Sequence, residues 1–592
     1  MKIKSGIFFL IILLAIGIGN TNFILAQKKF IYTDNGRLYF PNGEEVSLWG
    51  VNFQPDLSWE YRSRFKPVGV PLEADVLKKK TDEGFDEIRK MNCRLIRCHL
   101  TPADFTDEKG NLVETIYLDL LDYMVAEAAT RGIYVYLALI NHMNNGYVEN
   151  SFLNNCKRED WIYNINTVKC IENYTRQLLD RTNPYTKICY KNDPNIAVWE
   201  LINEPGYYSY EKINGSPNYN FFKSWLKDNN LDDTKNNYLE YRKNIVLKYI
   251  NGMYDLIRET GAPQPVVWNC NWHKMFLGHE DVFEVIAKSK AEVVSFCNYP
   301  GQNECKQPYY LNPEDFSNYD FSSFFKNGYE KKEWYGWVLD PAFMKKAKVV
   351  YEFETFYNQS AYLYPVMADF YRSLGVQMAA MWTYCLPGYA QYHSGSHFLS
   401  LTCTPRKTAS FIVAGEIFNS TPLYSKYHPD SPVERITDNY AYSYKNNLSV
   451  FASGEKYFYS GDMLNWNVIE PESNIKEIAG YGNSSIINYD GSGIYFLKIA
   501  DDRIEITIEP DSKWIVEPWQ QWKYKQIVTS LDYNSEHVFE LKLNNWIAKN
   551  SRVFRIDGNK KKRIKLQGNR IKFNASPGNY IVTTKKKQIK NT

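Results

Sequence analysis

Three carboxylates stand at the ends of apolar runs, where a buried strand has no structural use for them. The stretch IAVWELINEPG, from Ile196 to Gly206, reads as a strand up to Ile202. It then delivers an amide, Asn203, and a carboxylate, Glu204, ahead of a proline. A second stretch, VVYEFETF from Val349 to Phe356, ends in Glu352 and Glu354. Polar groups just beyond the carboxyl ends of strands occupy the working end of a parallel sheet or barrel. One carboxyl from each of two strands, facing across a mouth, supports paired acid–base chemistry. A protonated carboxyl gives its proton to a leaving oxygen; an ionised one attacks carbon or activates water. Hydrolysis of a glycosidic bond has this requirement. The donor must be held protonated, so burial or a negative neighbour is expected to raise the pKa of Glu204.

Positioning such groups takes a large scaffold. Short apolar strands alternate with amphipathic helices along most of the chain. The candidate strands are VSLWGVN, CRLIRCHL, IYVYLAL, IAVWELIN, PVVWNC, EVVSFCNY, KVVYEF and VQMAAMW. Helical patterns such as LDLLDYMVAEAATR and VKCIENYTRQLLDR lie between them, and TASFIVAGEIF follows the last. Nearly continuous apolar strands predict a parallel sheet covered by helices. Eight units is the count of a (β/α)8 (TIM) barrel. A doubly wound open sheet is the competitor, but no GxGxxG follows any strand. In the barrel Glu204 ends the fourth strand, and Glu352 and Glu354 end the seventh. Two positions apart, they are expected to share a face, which leaves the choice between them open.

Near residue 425 the pattern changes to short alternating strands and turns, as in GSGIYFLKIADDRIEITIEP, HVFELKL and GNYIVTT. These predict a smaller all-β, sandwich-like domain. Alternating runs on both sides of Gln567-Gly568-Asn569 predict a hairpin. At the amino end Lys2 and Lys4 precede an apolar run from Ile7 to Gly19. That run is shorter than the roughly 20 residues of a membrane span, and it reads as a secretory signal peptide ending at Ala26. The expected organisation is therefore a signal peptide (1–26), a (β/α)8 catalytic domain (27–425) and a C-terminal β domain (426–592). The mature chain, without a further long apolar run, is expected to be secreted or periplasmic and to have no membrane span.

A length of 592 residues with 44% hydrophobic content allows more than one core. A net charge of only +3 gives no electrostatic case for nucleic acid as a partner. All ten Cys lie between Cys93 and Cys403 with no CxxC pair. Cys93, Cys98, Cys270 and Cys297 fall inside apolar runs and read as buried thiols rather than zinc ligands. Aromatic residues make up 16% of the chain and crowd the long stretches after the fourth and sixth strands, where they suit sugar faces.

The segments WELINEP and VVYEF resemble those of clan A glycoside hydrolases, family 5 (the cellulase-like family) and its close relatives in particular. The resemblance covers roughly Phe30 to Asn419. It implies Glu204 as general acid/base, Asn203 as the amide that binds the sugar 2-hydroxyl, and Glu352 as nucleophile. It implies Arg97 (RLIRCHL) as the arginine that keeps the nucleophile ionised and Tyr299 (SFCNYP) as its hydrogen-bond partner. Trp382 (AAMWTY) matches the aromatic floor under the sugar, and His142 (LALINHMN) a histidine often found after the third strand. Two departures stand out. Glu354 replaces the small residue of the usual Glu-Phe-Gly, and Cys297-Asn298 precede Tyr299 where a histidine is usual. Trp272, His273, His393 and His397 are further cleft candidates. The resemblance implies a retaining β-glycosidase acting on a β-linked glycan by double displacement, with carbohydrate as its partner and no cofactor or metal. A carbohydrate-binding protein on the same fold is the alternative.

Overall fold

The structure is a computed structural model. It describes residues 29–141, 145–154, 156–271, 280–301, 316–355, 358–393, 397–427, 433–466, 468–515, 526–544 and 546–584. The expected signal peptide, His142, Trp272 and His273 lie outside the described residues.

Eight parallel strands close into a barrel: β1 (Leu48–Asn52), β2 (Leu95–His99), β3 (Tyr134–Ala138), β4 (Ile196–Glu200), β5 (Val266–Asn269), β6 (Val293–Asn298), β7 (Ala347–Phe353) and β8 (Val376–Met381), with β8 pairing back onto β1. Their apolar character is nearly continuous because both faces are buried. Leu48, Leu95, Val267, Val349, Met378 and Ala380 fill the interior. Trp49, Ile96, Leu137, Trp199, Phe296 and Val350 face the surrounding helices. This is the (β/α)8 barrel that the strand count predicts.

One irregularity bears on the site. The β6–β7 register slips between Phe296/Val350 and Cys297/Glu352, so Tyr351 is an extra residue. A bulge of this kind re-aims side chains beside functional sites. Here Tyr351 joins the interior cluster while Glu352, next in sequence, also reaches an interior arginine. The expected alternation is thereby broken, and β7 ends at Phe353. Glu354 does not share the surroundings of Glu352: its partners are Lys407 and Tyr364, from the helices Pro405–Ser420 and Leu363–Ser373.

Beyond the barrel lie a ten-stranded sheet, a three-stranded sheet and a two-stranded one. Pairing is antiparallel except between Lys456–Ser460 and Glu477–Tyr481. Along Leu448–Ser453 the residues alternate between two cores. Leu448, Val450 and Ala452 share a cluster with Phe539, Leu541, Ile571 and Phe573 of the three-stranded sheet. Phe451, with Phe458 and Ala479, belongs instead to the barrel's outer core, where the sheet packs on the helix Pro405–Ser420. The expected hairpin at Gln567-Gly568-Asn569 does not form. Lys560–Ile564 pairs with Ser551–Asp557 at the edge of the large sheet, whereas Ile571–Ala575 pairs with His537–Leu541 in the small one. The turn therefore crosses between sheets. Period-two alternation shows that each run is a strand but not which sheet it joins.

Candidate active site

The site is organised by a fully buried cation. Arg97 on β2 donates from Nη1 to Oδ1 of Asn52 (2.9 Å) and Oε1 of Glu352 (3.1 Å). From Nη2 it donates to Oε1 of Glu200 (2.6 Å) and Oδ1 of Asn203 (2.8 Å). Its guanidinium lies 5.3 Å from the ring centre of Tyr136 and 4.8 Å from that of Tyr351. A planar fork is suited to this task because it can serve several oxygens in fixed directions. Burial of the charge is tolerable because two carboxylates face it.

Glu200, the last residue of β4, is the carboxylate that the sequence reading missed. It is fully buried and also accepts from the Tyr136 hydroxyl, from Nδ2 of Asn269 (3.1 Å) and from Oγ of Ser295 (3.4 Å). Its signal was available: a carboxylate inside one apolar run needs a cation inside another. Asn52 was also missed. Its Nδ2 donates to the carbonyls of Tyr351 (3.0 Å) and Ala380 (3.2 Å), tying β1 to β7 and β8.

Glu352 is buried on β7. Its Oε1 faces Arg97, and its Oε2 accepts from the Tyr299 hydroxyl at 2.6 Å. Burial pushes its carboxyl above the ordinary value, and the Arg97 charge opposes that rise. Burial, reinforced by the Glu352 charge, holds the Tyr299 phenol far above its usual range, so it stays a donor. His99, two residues after Arg97 on the same face of β2, is a further residue the sequence reading passed over. Its Nε2 stands 3.1 Å from Oε1 of Glu352 and also meets Arg97. Burial first, and then the Arg97 charge, keep its pKa well below 6.5, so the ring is neutral. Trp382 stacks on His99 with ring centres 4.9 Å apart. Its indole is partly exposed, and the Trp382–Thr383 peptide is cis.

Asn203 is buried; besides accepting from Arg97, it donates to Oδ1 of Asn141 (3.2 Å). Glu204 adopts φ +50°, a left-handed conformation that few non-glycine residues take. Its Oε1 accepts from the Tyr351 hydroxyl at 2.9 Å, and its Oε2 lies 3.6 Å from Nη1 of Arg158. The Glu204 side chain is 21% exposed and faces a cation. Glu354, buried, is held by Lys407 (2.9 Å), the Thr355 N–H (2.6 Å) and the Tyr364 hydroxyl (2.8 Å).

His397 meets the Tyr299 ring edge-on at 5.0 Å, whereas His393 stacks on Phe398. Burial lowers the pKa of both imidazoles, that of His397 to about 3. Cys93, Cys98, Cys270 and Cys297 are buried free thiols. Among the described residues no group of three or more His, Cys, Asp or Glu side chains could hold a metal ion.

No family model matches the chain. Mannan endo-1,4-beta-mannosidase 1 of Arabidopsis thaliana is 27% identical over 231 residues, 37% of this chain and 51% of that protein. Mannan endo-1,4-beta-mannosidase 4 of Solanum lycopersicum is 34% identical over 192 residues, 30% of this chain and 45% of that one. The chain thus spans about half the length of these two relatives. The solved endo-beta-1,4-mannanase of Thermotoga petrophila aligns over 90% of this chain and 98% of its own, with 13% identity and a TM-score of 0.45. The fold is a (β/α)8 barrel, and part of the chain is similar in sequence to these mannan endo-1,4-beta-mannosidases.

Proposed function

We propose that the protein is a retaining β-glycosidase that cleaves β-1,4-mannan or a closely related β-linked glycan. The observation that carries the reading is one buried arginine serving carboxylate and amide from two barrel strands. Arg97 binds Glu352 on β7 and Asn203 beside Glu204 after β4. In this reading Glu352, its charge favoured by Arg97, attacks the anomeric carbon. Glu204 gives its proton to the leaving oxygen and later takes one from the attacking water. Asn203 binds the 2-hydroxyl, and the partly exposed indole of Trp382 offers an apolar platform to a sugar ring. Glu354 is left out, because its oxygens are committed to Lys407, Tyr364 and the backbone. The choice of mannan rests on the relatives, whose own substrate their names record. Export through the apolar amino-terminal run belongs to the same reading. Among the described residues no helix is long and apolar enough to cross a membrane.

The test is hydrolysis of β-mannan, β-glucan and xylan by the full chain, with NMR of the first-formed anomer. Mannan cleavage with retention supports the reading. Inversion, or binding of glycan without turnover, overturns it.

A further inference from the structure

Glu204 has surroundings at odds with the role of proton donor, and this inference rests on that role. A general acid needs a raised pKa. Yet Arg158 lies 3.6 Å from one of its oxygens and the Tyr351 hydroxyl donates to the other. Both contacts favour the carboxylate. The seat of Arg158 is built into the same loop as the acid. Its Cβ, Cγ and Cδ lie across Gly206, 3.1–3.2 Å from where a side-chain carbon on that residue would stand. Gly206 follows Asn203-Glu204-Pro205 directly, so any larger residue there would displace the arginine. The pair is also open, with the Arg158 and Glu204 side chains 30% and 21% exposed. Among the described residues, Tyr351, Tyr299 and Cys297 are titratable groups that also feel the Glu204 charge. Glu352, which also feels Arg158, sits with Arg97, and the neutral His99 lies beyond it.

We propose that Arg158 is a positioning residue that holds Glu204 ionised in the free enzyme and is displaced from it by the leaving-group sugar. Sugar hydroxyls then accept from the guanidinium. Glu204, relieved of the cation, takes one proton from solvent and gives it to the glycosidic oxygen as that bond breaks. In the second half-reaction it takes a proton from the attacking water. That proton returns to solvent when product leaves and Arg158 swings back.

The pH profile of kcat/KM reports the free enzyme and that of kcat the complex. The wild type is expected to show a basic limb lower in kcat/KM than in kcat. Arg158→Gln should raise the kcat/KM limb by about 0.5–1 pH unit, a partly screened version of a carboxylate–arginine shift, and leave the kcat limb in place. Arg158→Lys, which keeps the charge, should keep the gap. An unmoved limb in Arg158→Gln, or coincident limbs in the wild type, overturns the proposal. Should Arg158→Gln not fold, the wild type still decides. Raising salt from about 0.1 M to about 1 M shortens the screening length from about 10 Å to about 3 Å and should narrow the gap; a salt-independent gap overturns the proposal. Absence of any glycan hydrolysis would instead bring down the proposed function, and this inference with it.

Discussion

Glu352 and Glu200 share one guanidinium, and that sharing sets the acid side of the pH profile. The nucleophile proposed at Glu352 works only as the carboxylate. Burial holds the Glu352 pKa above the ordinary 4.5, so activity should fall as pH drops through that raised value. The acid limb of kcat/KM is therefore expected above pH 4.5, where an ordinary glutamate would place it. Glu200 also draws on the Arg97 charge at 2.6 Å. Glu200→Gln keeps an acceptor for Arg97 but removes the competing negative charge. More of the Arg97 field then falls on Glu352, its pKa drops, and the acid limb should move to lower pH. An upward move would mean that Glu200 acts by holding geometry instead. Removal of the chemical groups themselves is larger in effect. Glu204→Gln and Glu352→Gln should each cost about 10²–10⁴-fold or more in kcat on mannan, measured against wild type at its optimum.

At the scale of the strand, the decisive feature is how β7 ends. The extra residue at Tyr351 puts a tyrosine in the interior to serve Glu204 and still leaves Glu352 against Arg97. Glu354, past the end of the strand, becomes a tie to the outer helices through Lys407. Glu354→Gln leaves a buried Lys407 ammonium without its countercharge, a change that costs about 3–5 kcal/mol where buried pairs are broken. Urea unfolding should show that loss, with kcat per folded molecule retained. Strand β1 carries a second constraint. A Cβ on Gly50 would meet the Leu95 carbonyl oxygen of β2 at 1.8 Å, so Gly50→Ala must push apart the two strands that hold Asn52 and Arg97. A loss of about 1–3 kcal/mol or more and a fall in activity are expected together, read by thermal melts and mannan hydrolysis. Much at this scale was legible in the sequence. The eight strands announced themselves because burial on two faces makes an unbroken apolar run, and Asn203-Glu204 stood out as polar groups at the end of one. The bulge was not legible, since one inserted residue changes neither composition nor length enough to register. Glu200 carried a signal, a carboxylate inside an apolar run, but its partner two strands away on β2, and the meeting of His99 with Glu352 on β7, exist only once the barrel closes.

At the scale of the molecule, barrel and β region share a core. The ten-stranded sheet sends Phe451, Phe458 and Ala479 into the barrel's outer cluster, against a helix, Pro405–Ser420, that is buried along nearly its whole length. Polar ties reinforce the contact. Lys456 pairs with Glu416 at 2.8 Å, and Asp369 takes donors from Arg435, Tyr440 (3.2 Å) and Tyr442 (2.9 Å). Sequence patterning located this region as a separate run of strands but could not show that one face of its sheet completes the barrel, because on that face of Leu448–Ser453 a single apolar residue, Phe451, stands between Ser449 and Ser453. Such a joint core predicts one cooperative unfolding unit. Calorimetry of the full chain should show a single transition, and a chain ending after Tyr427 should expose the apolar flank of Pro405–Ser420 and aggregate. The finer test is Asp369→Ala. It leaves Arg435 and two tyrosine hydroxyls without their acceptor, at a cost of about 3–5 kcal/mol for the broken pair, toward the lower end because Arg435 keeps 19% of its side chain in solvent. In a joint core the whole transition shifts down in temperature and remains single. A split into two transitions, with the barrel's melting unmoved, would show that the sheet is a passenger on the barrel.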